Sequence, residues 1–258
     1  MTPPRAERAA VVDRLTAAGC VAAEEEADEL VDAASDAETL DVWVRRREQG
    51  EPLAWIVGTI RFCGHTVRVE PGVYVPRLQS EDLARRAASL LCARGRAADL
   101  CTGAGAVAVH LRAAVPTAVV VGTDIDARAV ACARGNGVAV VCGDLGAPLG
   151  DGSFDLVTAV APYVPSPAMH LLPADVRRYE PRRALDGGGD GLDVVRRIVA
   201  DALGLLRPGG WLVLELGGDQ DDALAPDLDA AGFGPVTSWC DDDGDLRGVA
   251  ARLTPGTG

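Results

Sequence analysis

The stretch Asp99–Val109, DLCTGAGAVAV, decides how this chain folds. A short apolar segment, AADLCTG, ends in glycine, and the run AVAVHLRAAV follows at once. This is the pattern of a buried strand turning sharply into a helix. Glycine at such a turn lets the backbone approach a ligand and leaves helix N-terminal N–H groups free to meet it. Gly103 and Gly105 supply the turn, and Ala108 stands where a dinucleotide fingerprint has its third glycine or alanine. Taken alone, the loop leaves a nicotinamide-binding dehydrogenase open.

Outward from the loop, helix and strand alternate. SEDLARRAASLLCARG precedes it as an amphipathic helix. After it come a strand (AVVVGTDID), a helix (ARAVACARGNG) and two strands (VAVVCGD and FDLVTAV). A long helix, GLDVVRRIVADALGLLRPGG, is expected to stop at Pro208-Gly209-Gly210. A strand (WLVLELG), a helix (DQDDALAPDLDAAGF) and two closing strands (GPVTSWC and LRGVAARL) complete the chain. Alternation of this kind predicts an α/β fold with a mostly parallel, Rossmann-like sheet, made mixed by an antiparallel closing pair. Before it, residues 1–55 read as short helices and 56–80 as a β-hairpin with Gly64 at its turn; 81–258 form the main domain.

Composition narrows the function classes. The 258 residues carry a net charge of −13, which argues against direct binding to a nucleic-acid backbone. Arg177, Arg178, Arg182 and Arg183 form a local basic group that reads as solvated, ion-paired surface. The seven cysteines include no C-x-x-C pair, so neither a disulfide framework nor a zinc site is expected. Cys101, Cys132 and Cys142 lie in apolar runs and are expected to be buried. The three histidines do not cluster, and no metal is expected. With no signal peptide or membrane-spanning run in view, a cytoplasmic protein without membrane contact is the expectation.

Two further strand ends give the glycine loop its meaning. Asp124 lies nineteen residues after Gly105 at the end of the next strand, where a carboxylate can accept both ribose hydroxyls of a nucleoside. Asp126, just beyond, suits a helix N-cap. The third strand ends in CGDL, where Asp144 could meet an adenine amino group and Leu145 could pack on the ring. From Glu81 to Leu253 the chain thus resembles the class I S-adenosylmethionine-dependent methyltransferases. The resemblance implies S-adenosylmethionine as cofactor, held by Cys101, Thr102, Gly103, Ala104, Gly105, Asp124, Asp144, Leu145 and Val160.

A narrower resemblance covers nearly the whole chain. GEPLAWIVGTIRFCGHTVRVEPGVYVPRLQSE, YEPRRALDGGGDGLDVVRRIV and LRPGGWLVLELGGDQ are similar, in order, to segments of the HemK-type protein-(glutamine-N5) methyltransferases. Where that family has Pro-Arg-Pro-Glu-Thr-Glu, this chain has Pro76-Arg77-Leu78-Gln79-Ser80-Glu81. The likeness implies methylation of a glutamine side-chain amide in a protein, a peptide chain release factor or a ribosomal protein, with the N-terminal helices facing the substrate. The family's catalytic Asn-Pro-Pro-Tyr corresponds to Val160-Ala161-Pro162-Tyr163. Pro162, Tyr163 and the Ala161 carbonyl remain, but Val160 has no polar atom. Asn136, the chain's sole asparagine, sits at a helix end. Thr158, Ser166 or main-chain groups are the stand-ins considered for the missing acceptor. A cofactor-binding protein with little catalysis and a methyltransferase with another acceptor, DNA adenine included, are the alternatives.

Overall fold

The computed structural model describes residues 5–254; residues 1–4 and 255–258, the outer ends of the two expected domains, lie outside the described residues. The first elements are helices because their apolar residues recur at helical spacing and Asp36 caps one of them, accepting from the Thr39 amide at 2.8 Å. Helices α1 (Arg5–Ala17), α2 (Ala23–Ala33), α3 (Ala37–Glu48) and α4 (Leu53–Val57) pack around Leu15, Leu30, Val44 and Ile56. Helix α4 serves two cores: Ile56 belongs to this cluster, while Trp55 belongs to the main domain and donates to the Val73 carbonyl at 2.9 Å.

A hairpin of β1 (Thr59–Phe62) and β2 (His65–Arg68) follows. Cys63 and Gly64 make its two-residue turn, both at positive φ (47° and 77°), as a primed turn matching strand twist requires. The carboxamide of Asn136 bonds the Arg68 amide and carbonyl and the Ala104 carbonyl, each at 2.8 Å. Asn136 does cap its helix, but it also staples the hairpin to the glycine loop.

The main domain runs α5 (Ser80–Leu90), β3 (Arg96–Leu100), α6 (Ala106–Ala114), β4 (Val119–Asp124), α7 (Ala127–Gly135), β5 (Ala139–Cys142), β6 (Phe154–Ala159), α8 (Ala174–Tyr179), α9 (Asp193–Leu205), β7 (Leu206–Glu215), α10 (Gln220–Ala230), β8 (Phe233–Cys240) and β9 (Leu246–Leu253). Its sheet has the order β5-β4-β3-β6-β7-β9-β8, parallel as far as β7 and antiparallel at β9 and β8. This is the Rossmann-like sheet with antiparallel closing strands that the sequence predicts. Strand β6 is buried along its whole length, as the centre of a sheet covered on both faces must be. Leu83 and Leu111 pack in the core on one side, and Leu192, Ile198 and Leu224 in the other.

Two local expectations are corrected. Helix α9 ends at Leu205, not at Pro208-Gly209-Gly210, which lies inside β7. Proline disfavours helix at the residue before it, and Gly209 at φ 83° sits where the β6–β7 register slips. Cys142 is exposed, because β5 is the sheet's edge, whereas Cys132 is buried and Cys101 half-buried.

Candidate active site

Between β3 and β6 the sheet order reverses: the chain goes out through β4 and β5 on one side and through β7 on the other. A crevice opens at the carboxyl ends of strands at such a switch point. The loops after β3, β4, β5 and β6 meet there and line three adjoining cavities, all of which include Tyr74 and Val160.

The first cavity is lined by Cys101, Gly103, Asp124, Asp144, Leu145, Val160 and Pro162, all singled out from the sequence. Asp124 accepts from the amides of Gly103 and Asp126, each at 2.9 Å, so its carboxyl is fixed in place. Burial holds that carboxyl above the usual carboxylate range, against these two amide bonds. Asp126 takes the cap of α7 through the Arg128 amide. Cys101 and Leu145 both sit at positive φ (54° and 47°), an uncommon state for residues with side chains and one that gathers at ligand sites. Asp144 is paired with Arg197 of α9 at 2.6 Å, across the cavity's rim.

The second, narrower cavity adds Asp99, Thr102 and Ala104. Asp99 is buried and accepts from the hydroxyls of Thr102 (2.6 Å) and Thr158 (2.7 Å). Desolvation outweighs those two bonds and pushes its carboxyl up to about 6. Gly103 has open space where a Cβ would stand, whereas a Cβ on Gly105 would meet Val138 at 2.9 Å and Ala133 at 3.2 Å. Gly105 therefore lines none of the three cavities; it lets α6 pack closely on α7 and the start of β5.

The third cavity contains Val160, Ala161 and Tyr163 with Tyr74, Arg77, Gln79 and Asp175. Tyr163 donates to the buried Glu215 at 3.0 Å and accepts from Gln79 at 2.9 Å. Its carbonyl accepts from Gln220 at 2.8 Å. Behind it the Asp186–Gly191 segment presses in so tightly that a Cβ on Gly191 would lie 2.2 Å from the Tyr163 carbonyl oxygen. The two proposed hydroxyl stand-ins do not line this cavity: Thr158 is fully buried and donates to Asp99, and Ser166 donates to Asp186 at 2.5 Å.

Other lining residues had no local signal. Tyr74 follows the hairpin in extended chain, and Val194 and Arg197 come from α9. Arg183 reaches to within 3.8 Å of Asp126, and Arg182 pairs with Asp186. Glu180 accepts from the Val75 amide at 3.1 Å and pairs with Arg77, which joins the PRLQSE and YEPRRAL segments. Tyr179 reaches the Gln49 carbonyl at 3.1 Å and meets Trp55 edge-on at 6.3 Å, seating α8 against the N-terminal helices.

A carboxyl in the narrow cavity, a second held at the end of β4, and apolar walls at Ile125, Leu145 and Val160 suit a ligand with a cationic end, a diol and a flat ring. S-adenosylmethionine has this make-up. Among the described residues no cluster of His, Cys, Asp and Glu could hold a metal ion, and no helix is long and apolar enough to cross a membrane.

Residues 97–179 match a family model described as a methyltransferase domain. A release factor glutamine methyltransferase of Geobacter sulfurreducens is 39% identical over 216 residues, spanning 81% of this chain and 76% of the relative. One from Xylella fastidiosa is 38% identical, over 80% and 78%, and one from Rhodospirillum rubrum is 35% identical, over 88% and 72%. Among solved structures, the E. cuniculi Mtq2–Trm112 complex, responsible for methylation of the eRF1 translation termination factor, superposes with a TM-score of 0.55 at 22% identity, over 71% of this chain and 99% of the matched one. The T. thermophilus 16S rRNA N2 G1207 methyltransferase, in complex with AdoMet and guanosine, gives 0.53 at 18%, over 76% and 44%. At these identities the structural likenesses speak for the fold alone.

Proposed function

The chain belongs to the release factor glutamine methyltransferase family, and on that premise we propose that it uses S-adenosylmethionine to methylate the side-chain amide nitrogen of a glutamine in a peptide chain release factor. The observation that carries this reading is the meeting of three cavities at Val160 and Tyr74, one suited to the cofactor's nucleoside, one to its amino-acid end and one to the acceptor.

Asp124 would take the ribose hydroxyls, and its two amide bonds hold the carboxyl ready for them. Asp99 would face the cationic amino group, Leu145 the adenine ring, and Gly103 the close approach of the amino-acid chain. When bound, the cofactor supplies an electrophilic methyl group on a sulfonium centre. An amide nitrogen is a weak nucleophile because its lone pair is shared with the carbonyl, so the site must orient it and accept its N–H as charge develops. The Ala161 carbonyl accepts no hydrogen bond among the described residues and is the main-chain acceptor for that N–H. Pro162 stiffens the loop beneath it, and Tyr163, held by Glu215 and Gln79, would bound the acceptor side.

Incubating the protein with labelled S-adenosylmethionine and a purified bacterial release factor tests this. Label should enter a release factor with an intact Gly-Gly-Gln motif and not one in which that glutamine is alanine. Equal labelling of both would overturn the proposal.

A further inference from the structure

We propose that Gln79 is a catalytic residue: its side-chain carbonyl accepts a hydrogen bond from the nitrogen being methylated, a task for which Val160 has no polar atom. The inference rests on the methyl-transfer reading above.

The acceptor cavity has few polar side chains, and most are committed. Arg77 only donates, and it is paired with the buried Glu180. Asp175 accepts from the Val176 amide at 2.9 Å and lies 3.9 Å from Arg47, turned toward the N-terminal helices. The Tyr74 ring lies beneath the Arg77 guanidinium, 5.0 Å away. Tyr163 donates to Glu215, and its oxygen already accepts from Gln79. Gln79 remains, and its neighbours fix which way its amide faces. At one end stand the Tyr163 oxygen at 2.9 Å and a Glu215 carboxyl oxygen at 3.4 Å. Both are acceptors there, so that end is the NH₂ group. The opposite end is the carbonyl oxygen, and it accepts no hydrogen bond among the described residues.

The result is an oriented amide carbonyl beside Val160, Ala161 and Tyr163, anchored on the loop's own tyrosine. A neutral carbonyl at this place does what the chemistry needs. As the acceptor nitrogen's lone pair forms the new N–C bond, the methyl carbon's bond to sulfur would break, its electron pair staying on sulfur as a neutral thioether, and the N–H would become acidic; Oε1 of Gln79 and the Ala161 carbonyl together orient the nitrogen and stabilise that charge until the proton passes to water. Because Gln79 lines only the acceptor cavity and neither of the other two, its effect should appear in turnover and not in cofactor binding.

The test is steady-state methyl transfer to a release factor by the wild type, Gln79→Met, and Gln79→Met combined with Val160→Asn. Methionine keeps the length and removes the carbonyl. The expected result is a loss of about 10²-fold in kcat for Gln79→Met, the usual effect of removing one preorganised polar contact to a transition state. S-adenosylhomocysteine affinity should stay at the wild-type value, and the thermal unfolding temperature should fall only slightly, by the hydrogen bond to Tyr163 that methionine also removes. Placing a side-chain amide back on the loop with Val160→Asn should recover at least about tenfold of the loss. An unchanged kcat in Gln79→Met overturns the proposal. So does a loss accompanied by weaker cofactor binding, or one that Val160→Asn does not recover, since either assigns Gln79 a structural role. No transfer by the wild type would overturn the proposed function itself, and this inference with it.

Discussion

Asp99 makes cofactor affinity depend on pH in a way that can be worked out in advance. Burial raises its carboxyl to about 6, while two threonine hydroxyls pull the other way. At pH 5 only about one molecule in eleven then carries the charged form, against about nine in ten at pH 7. A cationic amino group beside Asp99 binds the charged form, so linkage tightens S-adenosylhomocysteine binding by up to about tenfold between pH 5 and pH 7. The unliganded protein carries the opposite effect. A folded pKa above the unfolded one gives stability that is complete below pH 3.8 and is lost as pH rises through about 6, about 3 kcal/mol in all for so buried a group. Asp124, also raised by burial, adds to the same trend, so the decisive comparison is with Asp99→Asn. Calorimetric titrations across this range should show a steep dependence in the wild type and a shallower one in the variant. Equal slopes in the two proteins would refute the reasoning.

Replacing Asp124 by Ala removes a fixed acceptor and should weaken S-adenosylhomocysteine binding by about 10- to 100-fold, the range for hydrogen bonds to a charged group, in titrations of a protein with unchanged circular dichroism. Arg77→Ala leaves the Glu180 carboxyl buried without its cation; denaturant unfolding should show a loss of about 3–5 kcal/mol. Gly191→Ala combines a φ of 83° with a Cβ 2.2 Å from the Tyr163 carbonyl oxygen; a drop in melting temperature should accompany reduced methyl transfer, because the acceptor loop rests on this segment.

The parts of the site legible in the sequence are those written by local chemistry. A glycine turn after an apolar strand, an acid at the next strand end and a proline-stiffened loop are each contained in a few residues, and Gly103, Asp124 and the Val160–Tyr163 loop do meet at one crevice. What escaped was set by tertiary pairing. The hydroxyl of Thr158 looks available in FDLVTAV, yet it is buried outside the acceptor cavity and donates to Asp99, which only the β3–β6 register brings within reach. Gly105 resembles a ligand-loop glycine, but its missing side chain serves helix packing. Gln79 gains its orientation from Tyr163 and Glu215, both far along the chain. Arg197 stands on a helix face whose spacing says nothing of the cavity it borders. Apolar periodicity placed the elements, but not their ends: α9 stops at Leu205 because Pro208 already belongs to a strand.

Mass spectrometry of Gly-Gly-Gln peptides from cells with the gene, without it, and complemented by the Asp124→Ala variant reads out whether this chain methylates a release-factor glutamine. One methyl group on the glutamine amide nitrogen is expected when the gene is present, and its loss in the deletion and in the complemented variant. Full methylation of that glutamine in the deletion strain would contradict the proposed function.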